Sequence, residues 1–119
     1  MITKNLKYVM LLNVLFLFFS VKAEVLPKKW ETVTFKVYGN CGMCKSTIEA
    51  ALKNVEGVKF AVWSETSKKI TVKYNPKLIN LDTIHSKIVA VGYDTEKLRA
   101  EDEVYNNLHG CCQYERPKN

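Results

Sequence analysis

Across residues 30–38 apolar and polar positions alternate: Val33, Phe35 and Val37 share one side, Thr32, Thr34, Lys36 and Tyr38 the other. A period of two predicts a half-buried strand. Residues 39–42 interrupt it, and from about Met43 the spacing turns helical, with Ile48, Ala51, Leu52 and Val55 on one stripe that runs to Gly57. A helix is therefore expected to start at the second of two cysteines, Cys41 and Cys44. Residues 58–64 and 69–74 read as a hairpin around the polar turn at 65–68, with Ile70, Val72 and Tyr74 alternating cleanly. After Asn75-Pro76, Asn80 is a plausible N-cap and Asp82 suits a first turn. Leu81, Ile84, Ile88 and Val91 then form a second helical stripe before Gly92. Residues 93–99 suit a fourth strand. At 101–109, acids come first and Val104 and Leu108 follow at i and i+4, so a short terminal helix is expected. This order predicts an α+β chain: a ferredoxin-like βαββαβ sandwich with an additional short C-terminal helix.

The ends modify that picture. Lys4 and Lys7 open the chain, residues 9–19 are apolar apart from Asn13, and Val21-Lys22-Ala23 offers a small-residue cleavage site. This reads as a signal peptide at 1–23, since the run is shorter than the roughly 18 residues that crossing a bilayer takes. No cysteine lies near that site, which argues against a lipoprotein. The expected organisation is signal peptide 1–23, linker 24–30, one domain over 31–99, and a C-terminal helix with a Cys-Cys tail over 100–119. Export implies a periplasmic or secreted protein, without stable membrane association once the signal is cleaved.

Charge narrows the partners little. Of the formal net charge of +6, three units belong to Lys4, Lys7 and Lys22, so the exported part carries +3. Its lysines are scattered and form no block, which reads as a solvated surface and speaks against nucleic acid. No Ser/His/Asp arrangement, paired carboxylates or phosphate-cradling loop supports catalysis.

All four cysteines, Cys41, Cys44, Cys111 and Cys112, fall in the exported part, where thiols ordinarily pair unless a metal or a partner protects them. A close pair and an adjacent pair are poorly placed for closing large loops. At a strand-to-helix turn, Cys41 and Cys44 would instead place two sulfurs on one side of the chain. The free N–H groups of the helix start favour the thiolate form there. Two thiolates without His or carboxylate suit Cu(I) or Hg(II), whereas Zn(II) wants two further ligands.

In this context the chain resembles the heavy-metal-associated domain family of copper chaperones, copper-transporting ATPase domains and periplasmic mercury-binding proteins. The resemblance covers about 31–99. It rests on Cys41-Gly42-Met43-Cys44, Ile48, Leu52, Val55-Glu56-Gly57-Val58, Ala61, Ile70-Thr71-Val72-Lys73-Tyr74 and Gly92-Tyr93. It implies a ferredoxin-like fold, Cys41 and Cys44 as metal ligands, and Tyr93 close to the metal loop. Two positions depart from the family pattern. Gly39 replaces a methionine whose side chain packs under the loop, which implies a more mobile loop here, and Trp63 stands where a smaller aliphatic residue is usual. Met43 reads as a space filler more than as a thioether ligand.

Cys111 and Cys112 lie beyond the resemblance. A helix running unbroken from about 100 to 112 would carry them back to the loop end, with Cys111 continuing the stripe of Val104 and Leu108 onto the body of the domain. Three readings remain open for the pair: additional thiolate ligands, a redox-labile pair protecting the first, or a disulfide without a metal role. His109 reads as a polar helix end and His85 as a surface or boundary residue. The resulting expectation is an exported metallochaperone or metal scavenger, mostly monomeric, that binds Cu(I) or a similar thiophilic ion and passes it to a metal transporter or other acceptor. The competing expectations are an exported thiol–disulfide oxidoreductase and a disulfide-stapled interaction module.

Overall fold

A computed structural model describes residues 29–119. The signal peptide read at 1–23 and most of the linker read at 24–30 lie outside the described residues. Three strands form an antiparallel sheet in the order β1-β3-β2: β1 (Glu31–Lys36), β2 (Val58–Trp63) and β3 (Lys69–Tyr74). Register pairs Val33 with Val72 and Phe35 with Ile70, so the inward residues of β1 and β3 face the same side. Helices α1 (Gly42–Leu52) and α2 (Leu81–Val89) pack there.

Each helix buries the centre of its expected stripe, Ile48 and Leu52 on the first and Ile84 and Ile88 on the second. Cys44, Ile48 and Leu52 go inward from α1, each four residues apart. The helix stops at Leu52, five residues before Gly57, because Asn54 takes a left-handed conformation at φ 59°. Gly57 serves a different need: at φ 90° it lies so close to Leu78 and Ile79 that a Cβ would meet them at 2.9 and 2.8 Å. On α2, the Asn80 side chain accepts the Thr83 N–H at 2.8 Å, and Ile84 and Ile88 face the core. Among the described residues no helix is long and apolar enough to cross a membrane.

Three expectations need correction. The fourth strand at 93–99 shrinks to a single bridge, Val37 to Thr95, flanked by Tyr38 N–H to Asp94 and Glu96 N–H to Lys36. Beyond it the Thr95 hydroxyl accepts the N–H groups of Lys97 and Leu98, and Asp94 accepts that of Ala100. Side chains thus claim the donors a strand would use, and the chain turns away. The terminal helix, α3, covers only Asp102–Asn106, and a separate 3-10 turn follows at Gly110–Cys112. His109, extended at ψ 146°, breaks the path between them. The helical phase is lost, so Cys112 is the buried residue of the pair and Cys111 is exposed.

His85 is the third correction. It is only 2% exposed, stacked on Phe35 at 4.0 Å and hydrogen-bonded to Thr95 Oγ1 at 2.7 Å, because α2 packs directly over the end of β1. Burial lowers its pKa below the usual histidine value, the nearby Lys97 charge adds to this, and Glu96 and Asp82 oppose it. The folded state therefore holds a neutral imidazole. Its contribution to stability is complete above the unfolded value and is lost as pH falls through the lowered folded value. Denaturant midpoints should drop as pH falls from above the unfolded histidine value of about 6.5 through the lowered folded value, and His85→Gln should flatten that part of the profile. An unchanged slope in the variant would assign the acid sensitivity to other groups.

Candidate metal centre

Cys41 is the N-cap of α1 and Cys44 ends its first turn, so the strand-to-helix junction carries both sulfurs. Cys44 is fully buried, and its Sγ accepts the Asn40 N–H at 3.3 Å. Burial raises the Cys44 thiol, but the backbone amides of Asn40 and Cys41 and the neighbouring Cys112 and Tyr93 outweigh it, and the net shift is downward. Cys41 is partly exposed. The turn has thus made one inner sulfur that favours the thiolate and one outer sulfur that meets solvent.

Cys111 and Cys112 reach the same place. The sulfurs of Cys41, Cys111 and Cys112 all lie within 4.8 Å of one another, a cluster that does not include Cys44. Cys112 sits inside, where burial and then its neighbours Cys44 and Cys111 push its thiol up to about 12 despite the lowering effect of Tyr93. All four cysteines are free. Met43 is half-exposed on the rim, with its Sδ 3.6 Å from Cys111 Sγ. His109 is exposed and belongs to no ligand cluster among the described residues.

Beneath the sulfurs lies Tyr93, fully buried, with a hydroxyl that no protein group satisfies. Burial raises its pKa strongly, and Cys44 and Cys112 raise it further, so it stays a protonated donor facing two sulfurs. An orphaned O–H in that position fits a thiolate neighbour, since a buried donor without a partner costs about 1–3 kcal/mol.

The loop floor is built differently from what Gly39 alone implied. The Trp63 indole fills the space: a Cβ on Gly39 would come within 3.0 Å of its ring and 3.3 Å of Cys44 Cβ. Trp63 is fully buried and donates its ring N–H to the Val37 carbonyl at 3.0 Å. Lys68 covers it from outside, lying 5.4 Å from the ring centroid and donating to the Asn40 carbonyl. The two departures from the family pattern, a glycine and a tryptophan, are thus halves of one contact, and the loop is supported from below.

Sequence reasoning missed the residues that seat the tail. Asp94, with no exposed surface, accepts both Nε and Nη2 of Arg116 at 2.8 Å, and the paired guanidinium keeps its carboxyl below the usual range despite burial. Tyr114 accepts the Asp94 N–H and donates to the Gly92 carbonyl, both at 2.8 Å, and stacks on Tyr93. The partners lie about twenty residues apart, where no local spacing links them. The one available signal was Asp94 itself, a carboxylate directly after the Gly-Tyr pair.

Comparison with known proteins agrees with this geometry. Residues 34–94 match the family model of the heavy-metal-associated domain. A copper-exporting P-type ATPase of Staphylococcus saprophyticus is 34% identical over 67 residues, covering 56% of this chain and 8% of the ATPase. A zinc-transporting ATPase of Synechocystis is 37% identical over 54 residues, covering 45% of this chain and 8% of the ATPase. The chain thus spans 8% of the length of these curated relatives. Among solved structures, the CopZ metallochaperone superposes with a TM-score of 0.53 at 30% identity, covering 55% of this chain and 98% of its own. Oxidized MerP from Ralstonia metallidurans CH34 shares the fold, with a TM-score of 0.53 at 24% identity over 56% of this chain and 94% of its own.

The Gly39–Trp63 contact predicts a specific non-additivity. Gly39→Met alone should destabilise by about 1–3 kcal/mol through overpacking. Gly39→Met combined with Trp63→Val should recover a large part of that loss in urea denaturation, because the new side chain then occupies the indole's place. Simple addition of the two single effects would show that the two positions do not share one space.

Proposed function

This chain belongs to the heavy-metal-associated domain family, and from that premise we propose that it is an exported soft-metal carrier or scavenger. In this reading Cys41 and Cys44 take up Cu(I), or a similar thiophilic ion such as Hg(II), as thiolates and hand it to an acceptor by stepwise ligand exchange. The ion is cargo, and the chain performs no catalysis on it. The observation that carries the reading is the sulfur face at the start of α1: free cysteines only, no carboxylate or imidazole among the clustered ligands, and one thiol lowered by the amides of its own loop. Soft donors of this kind select soft ions.

Each feature has a part in exchange. Cys41, partly exposed, is positioned to meet an incoming ion or an acceptor's thiolate, while Cys44 stays fixed by the Asn40 amide. Tyr93 offers its free hydroxyl to whichever inner sulfur is charged. Lys68 fastens the loop through the Asn40 carbonyl, and Lys45 ties α1 to Glu49 and to the Trp63 carbonyl. The acceptor that suits this chemistry is a metal transporter or another thiolate-bearing metal protein, as the transporting ATPases among the relatives suggest. Export rests on the basic and apolar start of the sequence.

Competitive titration with a Cu(I) chelator tests the assignment. The Cys41→Ser/Cys44→Ser variant should lose roughly a hundredfold or more in Cu(I) affinity, since a chelating pair is removed at once. Full affinity in that variant would refute the reading. Insulin reduction by a chain with no metal affinity would put the thiol–disulfide alternative in its place.

A further inference from the structure

We propose that Cys111 and Cys112 are metal ligands, and that the C-terminal segment is a strap which turns an open two-sulfur loop into an all-sulfur cage around one ion. The proposal rests on the soft-metal reading of Cys41 and Cys44 and extends it to residues outside the family's matched span of 34–94.

Distances carry it. Tetrahedral sites with metal–sulfur bonds of about 2.3 Å have sulfur–sulfur edges of about 3.8 Å, and linear ones place two sulfurs about 4.6 Å apart. Cys111 Sγ and Cys112 Sγ lie 3.9 Å apart, and with Cys41 Sγ they fit inside 4.8 Å. That is the size of one ion's ligand shell and well beyond a disulfide bond of about 2.05 Å. The strap is also tied to the loop it covers: Asn40 Nδ2 donates to the Cys111 carbonyl at 3.3 Å, and the Cys41 thiol faces the same carbonyl at 3.9 Å.

The strap is built into the fold. Tyr114 and Arg116, two and four residues past Cys112, fasten it to Gly92 and Asp94. Tyr105 Oη donates to the Tyr114 carbonyl at 2.5 Å, and Arg116 also grips Asp102 and the Ala100 carbonyl at 2.6 Å. A segment held this firmly presents its sulfurs already in place, so little ordering cost falls on metal capture. Each ligand bond forms as a thiol releases its proton to water. An acceptor must then displace three or four sulfurs in place of two, which favours retention over fast transfer.

The test loads the full chain with Cd(II), whose thiolate charge-transfer absorption grows with the number of sulfur ligands, and separately follows Cu(I) loss to a competing chelator. Cys111→Ser changes an exposed residue and leaves packing intact; Cys112→Ala and Cys41→Ser complete the set. The strap predicts a weaker Cd(II) band in both Cys111→Ser and Cys112→Ala, and Cu(I) release faster by roughly tenfold or more. If Cys112→Ala unfolds, Cys111→Ser alone decides. Wild-type band and release rate in the tail variants, with loss in Cys41→Ser, would overturn the strap and leave the two-sulfur site standing. Unchanged behaviour in Cys41→Ser as well would overturn the soft-metal reading beneath it.

Discussion

Asp94 has no surface exposed to water, yet it remains a carboxylate, and a buried charge of that kind persists only with a partner that satisfies it. Arg116 supplies two parallel hydrogen bonds, the Ala100 amide a third. The rest of the tail follows from this requirement. To bring residue 116 back to residue 94, the chain must turn at Asp102–Asn106, cross the top of the domain through Gly110–Cys112, and lay Tyr114 against Tyr93. Cys112 is buried because it lies on that path, and Cys111 is carried to the rim beside Cys41 and Met43. Removing Arg116 would strand the buried Asp94 charge, a loss of about 3–5 kcal/mol for a buried ion pair, whereas Arg116 also holds Asp102.

Beneath the Cys41–Cys44 loop a large apolar residue does the equivalent work. Trp63 ends β2, passes its indole beneath Gly39 and is anchored to Val37 at the end of β1. Its backbone N–H is bound by Glu49 of α1, which also holds Lys45. Strand, helix and loop are thereby tied at one point. The sulfurs sit between this floor and the tail, with the Tyr93 hydroxyl as the one buried side-chain polar atom left unpartnered among the described residues.

The regular elements were legible because their signals are local. Period two across β1 and β3 and the four-residue spacing of Ile48 and Leu52 report which face is buried, and the CxxC lies at the strand-to-helix junction where the pattern change put it. What failed to show was set by contacts between distant residues. Residues 93–99 have strand-like composition, but hydrogen bonds to the Asp94 and Thr95 side chains redirect the backbone. His85 looked like a boundary residue on its own helix, and only the β1 residue Phe35 packed across it makes it a core residue. Gly39 and Trp63 each departed from the expected pattern, and only in three dimensions do they prove to be one compensated change. The reach of Cys111 and Cys112 to the loop was foreseen from helix length, though through a helix that the structure breaks.

A metal held between floor and strap differs from one held by an exposed loop alone in the number of sulfurs around it. X-ray absorption at the metal edge of the Cu(I)-loaded full chain counts those sulfurs directly. The proposed strap predicts an all-sulfur shell of three or more atoms that includes Cys41, Cys111 and Cys112, whose sulfurs form one cluster. A linear shell of two sulfurs, unchanged when Cys111 and Cys112 are both replaced, would contradict it.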